Sequence, residues 1–394
     1  MSARPIKIGY CLSLTGPLAS NGWAARLAHE IWEQNVNRKG GLLGRPVQMI
    51  CVDDETQQAK VTGIYKQLLD DEKVDLVIGG YGDNSVAPAM AIIIERNRYF
   101  VTLMALASNT SHNYANFFVM IPTGPHPSEG LTEGFFELAA AQMPKPETMA
   151  ILAADALFAK SPVAGGKTLA GQHGFRIIAD EEYDLSTRDF GPVISKLKTA
   201  NPDILFMCSY LKDTVAILRA VDALGLAPKI IGGAMIGPQN GEVKSELGPL
   251  LNGVVNYEYW LPAPKMMYPG IGEMIKKYQS RARAVGADPL GFYVAPQAYA
   301  QMQIVEQAIA GTASLEDEKL ARFTRENTFS TILGDVKFGS GGAWSTARVL
   351  QVQYRGIPDH DLENFKDTRT QAVVWPSHLA SQTLIYPYAR AKRR

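Results

Sequence analysis

Between Ile6 and Met235 the chain alternates short apolar runs with amphipathic stretches of helical period, and it does so in two successive series. "IKIGYCLSL" (6–14) reads as a strand; residues 21–39 then carry Ala24, Leu27, Ala28, Ile31, Trp32 and Asn35 at helical spacing and stop at Gly40-Gly41. "VQMICVDD" leads into a helix over 57–71 with Val61, Ile64, Tyr65 and Leu68 as its buried stripe. "VDLVIGG" leads into a helix over 86–97, and "RYFVTLMA" closes the first series. A helix between each pair of strands leaves the strands parallel, and covering both faces makes each strand apolar throughout.

The second series follows "FFVMIPTGPHP". It reads as helix 129–143, "TMAILAA", helix 168–173, "RIIADEEY", helix 190–200, "DILFMCSY", helix 213–224 and "KIIGGAMIG". From 252 the pattern changes to helices over 269–285, 292–310 and 315–326, followed by the strands "GDVKFG" and "ARVLQVQYRG". A chain of 394 residues exceeds one ordinary core. The expected fold is α/β, with two doubly wound parallel-sheet lobes between which the chain crosses more than once, as a hinge requires. The first lobe is expected over 1–122 with about 256–332, and the second over 123–255 with about 333–360. Residues 361–394 are expected to be an extension packed on the lobes, ending in a solvated, disordered basic tail, "ARAKRR".

Lys plus Arg equals Asp plus Glu at 39 each, so no global field draws the chain to nucleic acid or an anionic membrane. The longest apolar stretch, 87–108, is interrupted by "ERNR", too soon for insertion into a bilayer. The start "MSARPIKIGY" lacks the basic region and apolar core of a secretion signal, so either a leader has been removed or the protein is cytosolic. Cys11, Cys51 and Cys208 lie in apolar strand-like runs and read as buried free thiols.

Tests for chemistry are negative. "SPVAGGKT" (161–168) ends like a phosphate loop, but Ser161 stands where the first glycine is required. "GGYGDNS" has no third glycine for a dinucleotide fingerprint. His29-Glu30 is followed at 33 by Glu rather than the second His of a zinc-protease helix, and no G-x-S-x-G elbow occurs. "CVDDETQ" reads as a cap and acidic corner. The protein is expected to be no enzyme, with no metal and no cofactor.

In a doubly wound sheet, ligands bind outside the carboxyl ends of the strands. The first lobe's corners there are "GPLASNGW" (16–23), "GGYGDNS" (79–85) and "MALASNT" (104–110), rich in hydrogen-bonding side chains and in glycine. The second lobe's are "AADALFAK" (153–160), "CSYLKD" (208–213) and "GGAMIGPQ" (232–239), which carry Phe158, Tyr210 and Met235 as apolar cover. One lobe is expected to grip the polar end of a small molecule while the other closes an aromatic lid. Trp23 has two readings, packing beneath its corner or forming a wall of the pocket.

"IKIGYCLSLTGPLASNG", "NVNRKGGLLGRPVQMICVDDE", "VDLVIGGYGDNSVAPAM", "TRDFGPVISKLKTANPDILFMCSY" and "ALGLAPKIIGGAMIG" together resemble the branched-chain amino-acid-binding proteins, the type I periplasmic solute receptors of ABC importers. The resemblance runs from about residue 5 to about 355. It implies two doubly wound lobes joined by a three-strand hinge, ligand capture in the cleft by hinge closure, delivery to an ABC transporter permease, a periplasmic location, and a monomer or weak dimer. Carried over residue by residue, it places first-lobe ligand contacts at Asn21, Asp83, Asn84, Ala105 and Leu106, with Ser108 adjoining. Second-lobe contacts fall at Phe158 and Tyr210, with Phe292 joining from the late helical segment.

Two departures from the family pattern bear on the ligand. Ala234 stands where the amino-acid receptors place the acid that pairs with the ligand's ammonium, and burying an unpaired ammonium is costly. Asp83 stands where the family usually has a Ser that helps to hold the ligand's carboxylate, which an anionic side chain repels unless it is protonated or turned away. Two ligand classes fit: an aromatic acid, which matches the aromatic lid, and a neutral amide, urea-like compound or cation, which suits Asp83. The family's paired cysteines near the second corner are also absent. A cytosolic sensor of the amide type that controls a regulator is the alternative function on the same fold.

Overall fold

A computed structural model describes residues 4–392. It divides into two compact units: one runs to Pro125 and resumes over Met266–Ala347, and the other comprises His126–Lys265 and the chain from Arg348 onward. The chain passes between them three times, at 125–126, 265–266 and 347–348.

In the first unit β1 (Ile6–Leu12) lies between β2 (Val47–Asp53) and β3 (Leu76–Val77), all parallel. β4 (Phe100–Thr102) and β5 (Phe117–Val119) pair in parallel. They continue the same sheet, because Gly79 N–H donates to Val101 O at 2.9 Å and Tyr81 bridges to Met104. Six of the seven β1 residues are buried, as a strand covered on both faces requires. Helix Ala19–Arg38 follows β1 and buries Ala24, Leu27, Ala28, Ile31 and Trp32, five of the six stripe residues. Its close seat on the strand end depends on Gly22, where a Cβ would come within 1.9 Å of Ser13 O.

The second unit is built on one seven-stranded sheet. β6 (Thr148–Ala154), β7 (Arg176–Tyr183), β8 (Ile204–Ser209), β9 (Ile230–Met235) and β10 (Val255–Glu258) are its parallel part, in the order β10-β9-β8-β6-β7. The chain then enters the first unit, where β11 (Thr328–Thr331) and β12 (Gly334–Lys337) form an antiparallel hairpin. On return, β13 (Leu350–Tyr354) pairs antiparallel with β10, and β14 (Gln371–Trp375) pairs antiparallel with β13.

Several sequence expectations move. The strand "GDVKFG" belongs to the first unit rather than the second, because β12 pairs with β11 and Phe338 packs 5.2 Å from Phe118 in β5. The third crossing therefore lies at 347–348 instead of 332–333. Residues 361–392 are more than a layer packed on the lobes, since β14 within them widens the second sheet. Nor is the start of "ARAKRR" a loose tail: a helical turn at Tyr388–Ala391 buries Tyr388 and Ala391, and Lys392 pairs with Asp222. Arg393 and Arg394 lie outside the described residues. The helix expected over 168–173 begins at Leu157 and runs to His173, so "SPVAGGKT" lies inside it. Gly165 permits that helix to approach its neighbour, where a Cβ would stand 2.1 Å from Ser128 O.

Candidate functional site

The corner after β1 is fastened by the acidic pair that ends β2. Asp53 accepts from Leu14 N–H at 2.8 Å, from Thr15 N–H and from the Thr15 hydroxyl at 2.8 Å. Partial burial pushes the Asp53 carboxyl up, but its hydrogen bonds from Glu55, Thr15 and Leu14 outweigh this and hold it below the usual carboxylate value. Asp54 is buried and accepts from Ser13 Oγ at 2.6 Å, from Ser85 Oγ at 3.0 Å and from Thr56 N–H at 2.9 Å. It thereby ties the first corner to the second. "CVDDETQ" is the clasp of these corners, a role that its carboxylates' count alone did not reveal.

Trp23 packs beneath the first corner: its Nε1–H donates to Leu14 O at 2.9 Å and the Arg26 guanidinium lies 4.8 Å from its ring. Asn21 is 3% exposed. Its side chain lies beside the Tyr81 hydroxyl, which donates to the Tyr293 hydroxyl at 3.3 Å. Burial pushes the Tyr81 phenol up to about 12, so it stays a neutral donor.

Asp83 faces the third corner, not open solvent. Its Oδ2 accepts from Leu106 N–H at 3.1 Å, and its Oδ1 accepts from Ala107 N–H at 3.0 Å and Ser108 Oγ at 2.7 Å. The structure thus brings Asp83, Leu106 and Ser108 together, with Ala105 buried beside them. Asn84 is turned towards the second helix instead, where its Oδ1 accepts from Gln58 at 3.0 Å. Phe292 is buried within the first unit, inside the expected bounds of the first lobe.

In the second unit Phe158, at the start of helix Leu157–His173, meets Tyr210 edge to face, with ring centroids 6.0 Å apart and planes at 74°. Both are half-buried. Tyr210 is the N-cap of helix Leu211–Leu224; its N–H donates to Asp213 Oδ2 at 3.0 Å, and the Tyr183 hydroxyl donates to the same oxygen at 2.6 Å. Burial, followed by Asp213, raises the Tyr183 phenol far above its usual value, so it remains a donor that fixes the cap. Met235 does not stand at an open corner. It is fully buried at the end of β9, with its N–H and C=O both paired to the Asn256 side chain. Ala234 beside it is also buried, opposite Cys208.

The thiols form no disulfide. Cys11 and Cys208 are buried as expected, whereas Cys51 is only half-buried, because most of β2 is partly open to solvent. Burial raises all three, with Cys11 and Cys51 pushed up to about 12, so none is a nucleophile at neutral pH. Among the described residues no cluster of His, Cys, Asp and Glu is arranged to hold a metal ion, and no helix is long and apolar enough to cross a membrane.

Comparison with known proteins agrees with this architecture. Residues 5–357 match the family described as "Periplasmic binding protein". The chain is 25% identical over 343 residues to the leucine-, isoleucine-, valine-, threonine- and alanine-binding protein of Pseudomonas aeruginosa, covering 87% of this chain and 88% of that one. It is similar in fold to an amino acid ABC transporter substrate-binding protein from Pseudomonas fluorescens, with TM-score 0.77, 17% identity, and coverage of 100% of this chain and 99% of the other. A solute-binding protein of R. palustris in complex with benzoate matches with TM-score 0.73 and 16% identity, over 90% of this chain and 94% of the other.

Proposed function

Because the chain belongs to the periplasmic binding protein family, we propose that it is a solute receptor that takes up a small organic ligand and hands it to the permease of an ABC importer. Each unit brings part of what such a ligand needs. The first presents hydrogen-bonding corners at the carboxyl ends of parallel strands, clasped by Asp53 and Asp54 into fixed positions. The second presents an aromatic pair, and Phe158–Tyr210 is the observation that carries the reading. Two half-buried rings held edge to face by a capped helix offer an apolar surface to a flat or branched ligand. The proposed setting is the periplasm, with the protein acting as a monomer or weak dimer, binding without covalent chemistry and without a cofactor.

Calorimetry with leucine, benzoate and benzamide as probes tests the role of the pair. At least one probe binds the wild-type protein, and Tyr210→Ala weakens it by about tenfold, the size of one lost aromatic contact. The thermal unfolding of the variant stays close to that of wild type, since Tyr210 caps its helix through backbone N–H rather than through core packing. Unchanged affinity removes Tyr210 from the site.

A further inference from the structure

The first unit contains a seat for an anion, and the chain fills it with its own carboxylate. Two backbone N–H groups and one hydroxyl, from Leu106, Ala107 and Ser108, converge on Asp83. Asp83 is 6% exposed, so this is a built interaction within the fold and not a surface contact. A ligand carboxylate arriving at the same donors meets a fixed negative charge and no available hydrogen at those three groups.

Two buried amides of the first unit are differently placed. Gln297 is 1% exposed, yet among the described residues neither its Oε1 nor its Nε2 has a hydrogen-bond partner. The Asn21 Nδ2 is likewise buried without a hydrogen-bond partner among the described residues, beside the Tyr81 hydroxyl. The helices that carry these residues pack together, and both residues lie on the N-terminal side of a contact between them. Gln297 lies one turn before Gln301 in helix Ala295–Thr312, and Asn21 lies about two turns before His29 in helix Ala19–Arg38. His29 and Gln301 make that contact at 2.9 Å. A buried amide left unpaired costs free energy comparable to a lost hydrogen bond, and a core position without a polar role is better served by an apolar side chain.

Resting on the receptor reading above, we propose that Asn21 and Gln297 receive the polar end of the ligand, that this end is a neutral amide-type group, and that Asp83 is the residue that excludes a carboxylate. Gln297 offers both a donor and an acceptor, and Asn21 a donor; a carboxamide or urea offers the complementary acceptor and donors at no net charge. A carboxylate offers acceptors only and leaves the Gln297 oxygen unpaired. Discrimination of this kind is strong, because the wrong ligand strands buried polar groups.

The test is calorimetric titration of wild type, Gln297→Leu and Asp83→Ser with benzamide and with benzoate, alongside Tyr210→Ala. Wild type is expected to bind benzamide at least about tenfold tighter than benzoate, and Gln297→Leu to lose about tenfold for benzamide without losing thermal stability. Asp83→Ser, which opens the three donors, is expected to shift the preference towards benzoate. Because that variant removes an internal acceptor, Asp83→Asn, which removes the charge and keeps an acceptor, is titrated in parallel. A wild-type preference for benzoate, or benzamide affinity unaltered by Gln297→Leu, overturns the inference. If Tyr210→Ala then still weakens benzamide, the receptor reading stands without it. Binding of neither probe to wild type also overturns the inference, and the receptor reading is then decided by whether any small molecule is released from the purified protein.

Discussion

Lys244→Met unfolds at markedly lower urea concentration than wild type, with a loss of about 3–5 kcal/mol of stability. Lys244 sits on helix Gly241–Leu247 with its Nζ 3.2 Å from Glu258 Oε1, and the two side chains are 1% and 0% exposed. The Lys244 ammonium also lies 5.8 Å from the Tyr354 ring centre, and Tyr354 Oη donates to Pro238 O at 2.8 Å. Removing the cation leaves a carboxylate deep in the second unit without the charge opposite it, and desolvation of that anion dominates the cost. The pair also joins the helix after corner 232–239 to the end of β10, where Asn256 holds Met235. A second change, Glu258→Gln, made together with Lys244→Met, recovers most of the loss because it removes the stranded charge. A single variant within about 1 kcal/mol of wild type contradicts this view of the pair.

Acid destabilises the first unit through His29. Its ring is fully buried, edge to face with Tyr10 at 4.9 Å, and its Nε2 lies 2.9 Å from Gln301 Oε1. Gln301 Nε2 donates to Gly79 O and Val101 O, which turns its oxygen to the ring and makes His29 the Nε2–H tautomer. Burial, only partly opposed by the Gln301 hydrogen bond, lowers the His29 pKa from 6.5 to about 4. The unfolded chain therefore takes up this proton near pH 6.5, and the folded protein only near pH 4. The contribution to stability is full above about 6.5, declines by at most about 1.4 kcal/mol per pH unit between about 6.5 and about 4, and is lost below that. The whole loss from this group is about 3 kcal/mol. Urea unfolding at about pH 7.5 and about pH 4 shows it as the difference between wild type and His29→Leu, whose decline over the same interval is smaller by that amount. Equal declines in the two proteins assign the acid sensitivity elsewhere.

The two series of strands and helices were legible because a strand covered on both faces must be apolar along its length and a covering helix must carry a stripe. β1 and helix Ala19–Arg38 satisfy both conditions. Elements whose stability comes from neighbours were less visible. Helix Leu157–His173 contains Pro162, Gly165 and Gly166, residues that read as breakers until the packing against Ser128 explains Gly165. β11 and β14 are four and five residues long and are fixed by pairing with partner strands, which no local pattern announces. At the corners, sequence placed Asn21, Asp83, Phe158 and Tyr210 but could not say where their atoms point. Whether Asp83 faces the ligand or turns away was open in the sequence; its oxygens turn to the chain's own donors. Gln297 carried no signal, since "APQAYAQMQ" is ordinary helix composition; only its burial without a partner among the described residues singles it out.

At the centre of this picture stands a receptor for a small organic molecule whose polar end is a neutral amide-type group. Mass spectrometry of the compounds released when the purified protein is denatured tests it without intermediaries. A small carboxamide or urea-type compound with an aromatic or other apolar body is expected, in near-stoichiometric amount. Recovery of leucine, valine or benzoate instead would contradict the roles given to Asp83 and Gln297, and a protein that releases no small molecule and gains none from a cell extract would contradict the receptor itself.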